Sequence, residues 1–388
     1  MEGLSTVARG LIADAEIVFG GKRHLELAGS LIRGAVRPWP SPFEGAVAEL
    51  AGLRGRSVCV LASGDPFLYG VGSVLARQVD ASEMLVMPAP SAFSLAAAKM
   101  GWSLPETSQV SLHGRSLDLI RPHLHQGARV LALTSDGDGP GALAALLDQS
   151  GFGGSKLTVL EALSGPRERI RAARASEFAL TSIDPLNVVA LEVEASANAR
   201  VLPWVVGLPD ALFEHDGQIT KREIRAVTLS SLAPRRNELL WDIGAGSGSV
   251  AIEWMLADAS LRALAIEQHQ ERAARLRRNA AAFGVPGLEV VEGQAPNCLA
   301  GLPAPDAVFI GGGAAASGML DAAIAALRSG GRLVVNAVTL ETEAVLLARH
   351  ASQGGELLRI ALSRADGVGE KTAWRPAMPV TQWAWTKP

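Results

Sequence analysis

The sequence has little cysteine, no long apolar run and no excess of charge of one sign. Its two cysteines, Cys59 and Cys298, lie in apolar surroundings with no Cys or His at metal-ligand spacing. We therefore expect both cysteines to be buried free thiols, and we expect neither a disulfide framework nor a metal site. Apolar runs stay below the ~18 residues of a membrane-spanning helix, and the N-terminus lacks the apolar stretch of a signal peptide. We expect a cytoplasmic protein without membrane contact.

The charge balance excludes another class of partner. The chain carries 36 Lys and Arg against 39 Asp and Glu, a net charge of −3. Binding to a nucleic-acid backbone needs a basic excess, so the composition argues against such a partner. At 388 residues the chain is too long to form a single ordinary hydrophobic core. We therefore expect two domains, residues 1–200 and 201–388, joined near residues 195–206.

The most informative stretch is a short apolar run followed by glycines. Residues 239–243 have strand character, and Gly244, Gly246 and Gly248 follow before a helical pattern. Glycines permit a tight turn and let a ligand lie against bare backbone. The third glycine comes one residue earlier than in a dinucleotide loop, and Asp242 precedes the loop. This variant suits S-adenosylmethionine (SAM) better than a dinucleotide.

A second signal is Glu267, which ends the apolar run 261–267. A doubly wound sheet places the acid that bonds ribose hydroxyls at about this distance beyond the glycine loop. Residues 292–296 and 310–313 follow the next strand candidates of the same sheet. We expect the first to contact adenine and the second to border both cofactor and substrate.

Short apolar runs alternate with helical patterns along the whole chain, which predicts α/β layers. In the N-terminal half we predict strands at 16–19, 57–62, 84–87, 109–112, 129–133, 157–160 and 187–193, and helices at 43–53, 72–78, 92–100, 117–124 and 141–149. In the C-terminal half we predict seven strands, at 239–243, 261–267, 288–291, 306–313, 330–342, 356–363 and 380–386, with a helix at 269–283 ended by Gly284.

The N-terminal half has its own candidate ligand loop at residues 60–72. A strand runs into Ser63-Gly-Asp-Pro, and glycines then open a helix. Ser63, Asp65 and the loop amides suit a polar ligand at the carboxyl end of a strand, although an Asp-Pro turn explains the same residues equally well. Ser91 suits a helix N-cap.

A charged segment precedes the glycine loop. Thr220, with Glu223 three residues on, predicts a capping box. The alternative is a lip over the cofactor loop, with Lys221, Arg222 and Arg225 facing anionic groups of a substrate. A solvated charged face explains the three cations as well.

These motifs resemble known methyltransferases. Residues 62–70, 90–94 and 111–115 resemble the tetrapyrrole methylase family. Residues 213–225, 241–250, 292–296 and 335–342 are similar to the class I C15-methylating, decarboxylating half of the precorrin-6Y C5,15-methyltransferase family of cobalamin synthesis. Both halves, in this order, resemble its fused form. In one departure, Glu2-Gly-Leu-Ser follows Met1 directly, and we therefore expect the first strand and glycine loop of the tetrapyrrole methylase pattern to be absent.

The resemblance implies a function. Precorrin-6B is methylated by SAM at C5 and C15, and CO2 is lost from its C12 acetate to give precorrin-8X. It also implies a homo-oligomer. Two alternatives stay open: an active C-terminal half with an N-terminal scaffold, and an RNA methyltransferase. Against the latter, Ile310-Gly-Gly-Gly stands where amino-methylating enzymes carry an Asp/Asn-Pro-Pro loop, and neither cysteine follows a proline.

Site residues follow from the loops and the resemblance together. Cofactor contacts are predicted at Thr220, Asp242, Gly244, Ala245, Gly246, Ser247, Gly248, Glu267, Gly293, Gln294, Ala295 and Gly311, and in the N-terminal half at Gly64, Asp65, Pro66 and Ser91. Substrate contacts are predicted at Arg222, Arg225, Asn336, Arg364 and Arg375. His215 or Glu214 is a candidate for proton transfer. A reactive methyl sulfonium needs alignment more than activation, so no metal is expected.

Overall fold

The computed structural model describes residues 3–40 and 43–388. The chain divides into two compact units. One comprises the residues up to Gly114 together with Gly127–Glu194, and the other comprises Arg115–Gln126 together with Ala195–Pro388. Both units combine helices with parallel or mixed sheets, which confirms the α/β fold class. None of the helices in the described ranges is long and apolar enough to cross a membrane.

The first unit contains a small parallel sheet and a larger mixed sheet. Its strands are β1 (Ile17–Gly20), β2 (Ala35–Pro38), β3 (Val58–Val60), β4 (Ser108–Ser111), β5 (Arg129–Leu133), β6 (Lys156–Glu161), β7 (Arg169–Arg174) and β8 (Asn187–Glu192). Its helices are α1 (Thr6–Asp14), α2 (Lys22–Ala28), α3 (Glu44–Ala51), α4 (Val71–Leu75), α5 (Ala92–Met100) and α6 (Gly139–Gln149). The small sheet has the order β2-β1-β3, and the larger has β4-β5-β8-β6-β7.

The second unit contains a seven-stranded sheet and a separate two-stranded hairpin. Its strands are β9 (Leu239–Ile243), β10 (Arg262–Glu267), β11 (Glu289–Glu292), β12 (Ala307–Ile310), β13 (Arg332–Ala337), β14 (Glu356–Ile360), β15 (Ser363–Val368), β16 (Lys371–Pro376) and β17 (Val380–Thr386). Its helices are α7 (Arg222–Leu232), α8 (Ser249–Ala257), α9 (Gln270–Ala282), α10 (Met319–Ala326) and α11 (Leu340–Gln353).

The strand order of this sheet is β11-β10-β9-β12-β13-β17-β14, and β15 and β16 form a separate hairpin. Strand β17 runs antiparallel to both of its neighbours. The order confirms the predicted Rossmann-like domain. The chain reverses its direction of winding between β9 and β12, which are adjacent. Open α/β sheets bind ligands in the crevice outside the strand ends at such a point.

The sheet is buried on both faces, as its apolar strands require. Successive residues of a strand point to opposite faces, and in β9 Leu240 contributes to one core while Trp241 contributes to the other. In β12, Phe309 and Ile310 divide in the same way. Cores on both faces hold β9 rigidly and fix the position of the loop that follows it.

A segment from the N-terminal half of the sequence, Arg115–Gln126, belongs to the second unit. It packs closely past the end of α9, where a Cβ added to Gly284 would lie 2.4 Å from Pro122 Cδ. The ring of His125 lies 4.3 Å from that of Trp204, centroid to centroid. The helix predicted at 117–124 is instead a 3-10 helix, Leu117–His123, with Pro122 inside it.

Two further predictions are wrong. Residues 84–87 form no strand, because Leu85 is 72% exposed and the stretch pairs with none of the described strands. Thr220 forms no capping box, since α7 begins at Arg222 and no side chain caps it. The sequence also failed to indicate strands β2, β7, β15 and β16. Their residues are mostly exposed, so they lack the apolar alternation of a half-buried strand.

Candidate functional site

The glycine loop of the second unit forms at the carboxyl end of β9. Gly244, Gly246 and Gly248 have φ angles of +75°, +57° and +76°, a region that residues with a Cβ rarely occupy. A Cβ on Gly248 would also lie 2.6 Å from Leu276 Cγ. The amides of Gly244 and Ala245 donate to Ile266 O at 2.9 and 3.1 Å, which ties the loop to β10.

Glu267, at the end of β10, lies against this loop. Its Oε2 accepts a 2.9 Å hydrogen bond from the Gly246 amide, and its Oε1 accepts one of 2.9 Å from the His269 amide. The residue is only 4% exposed. A carboxylate offers about four acceptor positions, so both oxygens keep capacity for hydroxyl donors. The geometry therefore fits a ligand with a ribose diol.

Asp242 fastens the other side of the loop. Its Oδ2 accepts a 3.1 Å hydrogen bond from the Ala251 amide in the first turn of α8. Burial raises the pKa of Asp242 to about 7, and the nearby charge of Glu267 adds to the effect. Ser247 Oγ is buried without a hydrogen-bond partner in the described part of the chain. This hydroxyl stands in the loop as an unused polar group beside the candidate cofactor position.

Residues 213–220, which we call the lip, cover the loop. Asn279 of α9 joins the two: its Nδ2 donates to Ser247 O and to Glu214 O, both at 2.9 Å, and its Oδ1 accepts from the Glu214 amide at 2.8 Å. A Cβ on Gly246 would lie 3.5 Å from Gln218 O. The lip is therefore fastened to the glycine loop through one buried side chain.

Arginines of α9 hold the lip by ion pairs. Arg278 binds Glu214 at 2.7 Å, and Arg272 and Arg275 each bind Asp216 at 3.0 Å. The hydrogen bond from Arg278 keeps the pKa of Glu214 below its ordinary value. This environment does not favour Glu214 as a proton carrier.

The exposed His215 accepts a 3.0 Å bond at Nδ1 from the Gly217 amide. That bond occupies one of the two ring nitrogens. The role of His215 in proton transfer stays a prediction.

Two other loops meet the glycine loop at the same sheet edge. The Gly293 amide donates to Glu267 O at 3.1 Å, which brings residues 292–296, with Gln294 and Ala295, beside Glu267. A Cβ on Gly311 would lie 4.0 Å from Thr220 Oγ1, and one on Gly244 would lie 3.9 Å from Gly312 O. The predicted cofactor residues of this half are therefore brought together at one end of the sheet.

The structure contradicts two predicted substrate contacts. Arg225 is fully buried, with its guanidinium 2.6 Å from Glu253 and 3.2 Å from Asp210, so it cannot meet a substrate. It also donates to the carbonyl of Thr220, so its role is to shape the lip. Asn336 is buried as well, and both ends of its amide are bonded, to Thr228 and Gln382.

The other cations remain accessible. Arg222 is exposed, Arg364 pairs with Glu223, and Arg375 pairs with Asp366 at 2.9 Å. Residues 364 and 375 face each other across the β15–β16 hairpin. Their contact with a substrate stays a prediction.

The first unit contains a cleft of about 890 Å³, whose lining includes Gly64, Asp65 and Ser91. Gly64 has a φ of +61°, and a Cβ there would lie 3.0 Å from Pro90 O. Asp65 Oδ1 accepts from the Phe67 amide at 2.9 Å, which forms an Asx turn. Pro66 does not line the cleft, but its carbonyl accepts from the Gly72 amide at 2.9 Å and so shapes the loop.

Ser91 caps α5 as predicted, because its hydroxyl accepts from the Ser94 amide at 3.1 Å. Its contact with a cofactor stays a prediction. Sequence reasoning missed His24, which lines the cleft and lies 2.6 Å from Ser63. It also missed Asn279, although an asparagine in register with the buried Ala273, Leu276 and Ala280 of α9 was a usable signal.

Comparison with known proteins agrees with this two-part geometry. Residues 1–179 match the family of tetrapyrrole (corrin/porphyrin) methylases, and residues 211–387 match the precorrin methyltransferase domain family. The chain is 61% identical to a precorrin-6Y C(5,15)-methyltransferase (decarboxylating) of Sinorhizobium sp, over 99% of this chain and 93% of the relative. It is 40% identical to the protein of that name from Mycobacterium tuberculosis H37Rv, over 100% and 97%.

One solved structure is the C-terminal domain of precorrin-6Y C5,15-methyltransferase from Rhodobacter capsulatus. It is 46% identical, covers 48% of this chain and 100% of that domain, and has a TM-score of 0.46. The identity to the curated relatives extends over almost the whole of both chains. The chain therefore belongs to the family of decarboxylating precorrin-6Y C(5,15)-methyltransferases.

Proposed function

We propose that this protein uses SAM to methylate precorrin-6B at C5 and C15 and to remove CO2 from its C12 acetate, giving precorrin-8X. The first unit carries out the C5 transfer, and the second carries out the C15 transfer and the decarboxylation. The observation that carries the proposal is the end of the sheet in the second unit, where Glu267 bonds the glycine loop and Asn279 joins that loop to the lip.

The residues present fit SAM. The glycine backbone leaves room for a ligand, and Glu267 keeps acceptor capacity for ribose hydroxyls. Ser247 Oγ offers a hydroxyl that has no partner in the described ranges. SAM supplies an electrophilic methyl group when bound. The chain's own task is to orient the two reactants, since alignment can supply much of the barrier reduction in such a transfer. Glu267 and Asp242 hold the loop, and Asn279 and Arg225 hold the lip over it.

Decarboxylation makes a different demand on the site. The electron pair left by CO2 passes into the conjugated ring of the substrate, so the protein supplies cations that place carboxylates. Arg222 and, on the hairpin, Arg364, Lys371 and Arg375 are exposed and suited to this. A homo-oligomer stays a prediction. Measuring the mass of the protein in solution tests it.

The experiment is a mass balance on the product. The full chain is mixed with SAM and precorrin-6B, and the expected product is two methyl groups heavier and one CO2 lighter. A product with one methyl gained and one CO2 lost assigns chemistry to the second unit alone and makes the first unit a scaffold. Absence of turnover of any tetrapyrrole contradicts the proposal.

A further inference from the structure

A histidine and a serine form a hydrogen-bonded pair inside the cleft of the first unit. His24 lies on α2, which follows β1, and Ser63 follows β3, the neighbour of β1 in the small parallel sheet. His24 Nε2 lies 2.6 Å from Ser63 Oγ, and both residues line the cleft of about 890 Å³. The helix after β1 and the loop after β3 therefore bring together a base and a hydroxyl at a candidate ligand loop.

The second ring nitrogen of His24 has no use in the fold. Its Nδ1 is buried and has no hydrogen-bond partner within the described residues. It faces the backbone of Gly21, where an added Cβ would lie 3.2 Å away. An imidazole with a purely structural role usually has both nitrogens satisfied. Among the described residues, Ser63 is instead the one hydrogen-bond partner of this ring.

The surroundings of His24 favour the neutral ring. Burial lowers the pKa of His24, and the positive charge of Arg23 lowers it further. The other titratable or charged groups that line the cleft are Asp65, Tyr69, His113 and Arg167. A neutral imidazole can accept a proton, and the nearby cation promotes its later release to solvent.

Methyl transfer to carbon creates a proton that must leave. As the C–C bond forms, the S–CH3 bond breaks and its electron pair stays on sulfur. The attacked meso carbon becomes tetrahedral and still carries its hydrogen, which leaves a cationic ring system. Loss of that C–H proton returns its electron pair to the double bond and restores neutrality. The reaction in the first unit therefore needs a proton acceptor near the attacked carbon.

We propose that Ser63 and His24 together accept the proton released in the C5 methylation. Ser63 Oγ takes the proton from the meso carbon while its own proton passes to His24 Nε2, and the imidazolium then loses the proton to solvent. Ser63 is the catalytic residue that meets the substrate, and His24 is the base that acts through it. This inference rests on the proposed function of the first unit.

The test is His24→Gln in the full chain, because glutamine can still hydrogen-bond Ser63 but cannot accept a proton. Isotope-labelled SAM and precorrin-6B deuterated at C5 report each methyl transfer separately. We expect C5 methylation to slow by at least about 100-fold, the usual minimum for general-base catalysis, and to gain a primary deuterium isotope effect. C15 methylation and CO2 loss should keep their wild-type rates.

Two further variants make the result decisive. Ser63→Ala should reproduce both the loss and the isotope effect without changing α2. His350→Gln is the matched control. His350 also has a buried Nδ1 without a partner in the described part of the chain, but it lies on α11 of the other unit, and its replacement should leave both transfers unchanged.

A His24→Gln enzyme that methylates C5 within threefold of the wild-type rate overturns the inference. A wild-type chain that methylates C15 but not C5 also overturns it. Failure of the whole proposed function looks different, because the wild-type chain would then transfer neither methyl group and release no CO2. A wild-type chain that transfers both methyl groups, with C5 methylation unaffected by His24→Gln, contradicts this inference alone.

Discussion

The side chain of Asn279 and the backbone of Ser247 are joined by a 2.9 Å hydrogen bond between Nδ2 and the carbonyl oxygen. The same amide binds both the N–H and the C=O of Glu214. One residue of α9, only 1% exposed, thus connects the loop that would hold the cofactor to the lip that covers it. The geometry of the crevice depends on this buried amide.

Replacing Asn279 with Ala should loosen the lip and weaken SAM binding. The change removes the partner of Ser247 O, which is buried, at a cost of about 1–3 kcal/mol, and it releases the backbone of the exposed Glu214. We expect the Kd of SAM in the second unit to rise at least ~10-fold, as measured by calorimetric titration. Asn198→Ala, at an exposed position, is the control. Equal affinity in the two variants would remove Asn279 from this role.

Replacing Glu267 with Gln should also weaken SAM binding, because a neutral amide loses charge-assisted bonds to ribose hydroxyls. Hydrogen bonds to a charged group contribute about 1.5–3 kcal/mol, so the Kd should rise by ~10-fold or more. Glu271→Gln, an exposed change in the first turn of α9, should have no effect. Deoxygenated SAM analogues sharpen the test: removing the ribose hydroxyls should cost the wild type affinity but cost the Gln variant little.

Replacing Arg225 with Met should destabilise the second unit. Glu253 would keep its bonds from the Gly207 and Leu208 amides but lose its buried cation. Breaking a buried pair from one side costs about 3–5 kcal/mol. Hydrogen exchange in peptides from β9 should rise accordingly.

Two variants check this interpretation of Arg225. The exposed Arg222→Met should leave hydrogen exchange unchanged. The double variant Arg225→Met with Glu253→Leu should recover part of the lost protection, since it leaves no unpaired charge. A single variant as stable as the wild type would show that the ion pair is not needed.

Asp242 should make stability depend on pH in an unusual direction. Its pKa is raised in the folded state from an ordinary value of 3.8 to about 7, so the folded chain binds more protons than the unfolded chain between these values. The contribution of Asp242 to stability therefore falls as pH rises through this window. Asp242→Asn should remove that slope, seen by comparing urea unfolding of variant and wild type at pH 5 and pH 8. The exposed Asp14→Asn is the control, and identical pH slopes in wild type and Asp242→Asn would contradict the assignment.

Local patterns predicted much of the fold. Strands β5 and β17 have the bounds expected from their apolar runs, and the Ser91 cap and the glycine ending α9 were readable from neighbouring residues. These features are fixed by contacts within a few residues. The glycine loop and Glu267 were also predictable, because strand order in a doubly wound sheet brings their two strand ends together.

Features that depend on distant partners were not predictable in the same way. Arg225 has the sequence appearance of a solvated cation, and only the fold places Glu253 beside it. Strand β7 is rich in arginine, and its pairing with β6 depends in part on Arg169 and Arg171 binding the buried Glu161. His24 and Ser63 are 39 positions apart, and no local pattern links them.

The membership of Arg115–Gln126 in the second unit has a practical consequence for cutting the gene in two. A break near residue 195 would leave Arg115–Gln126 on the N-terminal fragment, without the end of α9 against which Pro122 packs. The C-terminal fragment would then lack Arg115–Gln126, and the N-terminal fragment would carry that segment without the surface on which it packs. Halves produced separately should be assayed alone and as a mixture. We expect each half alone to be less active than the same residues in the continuous chain.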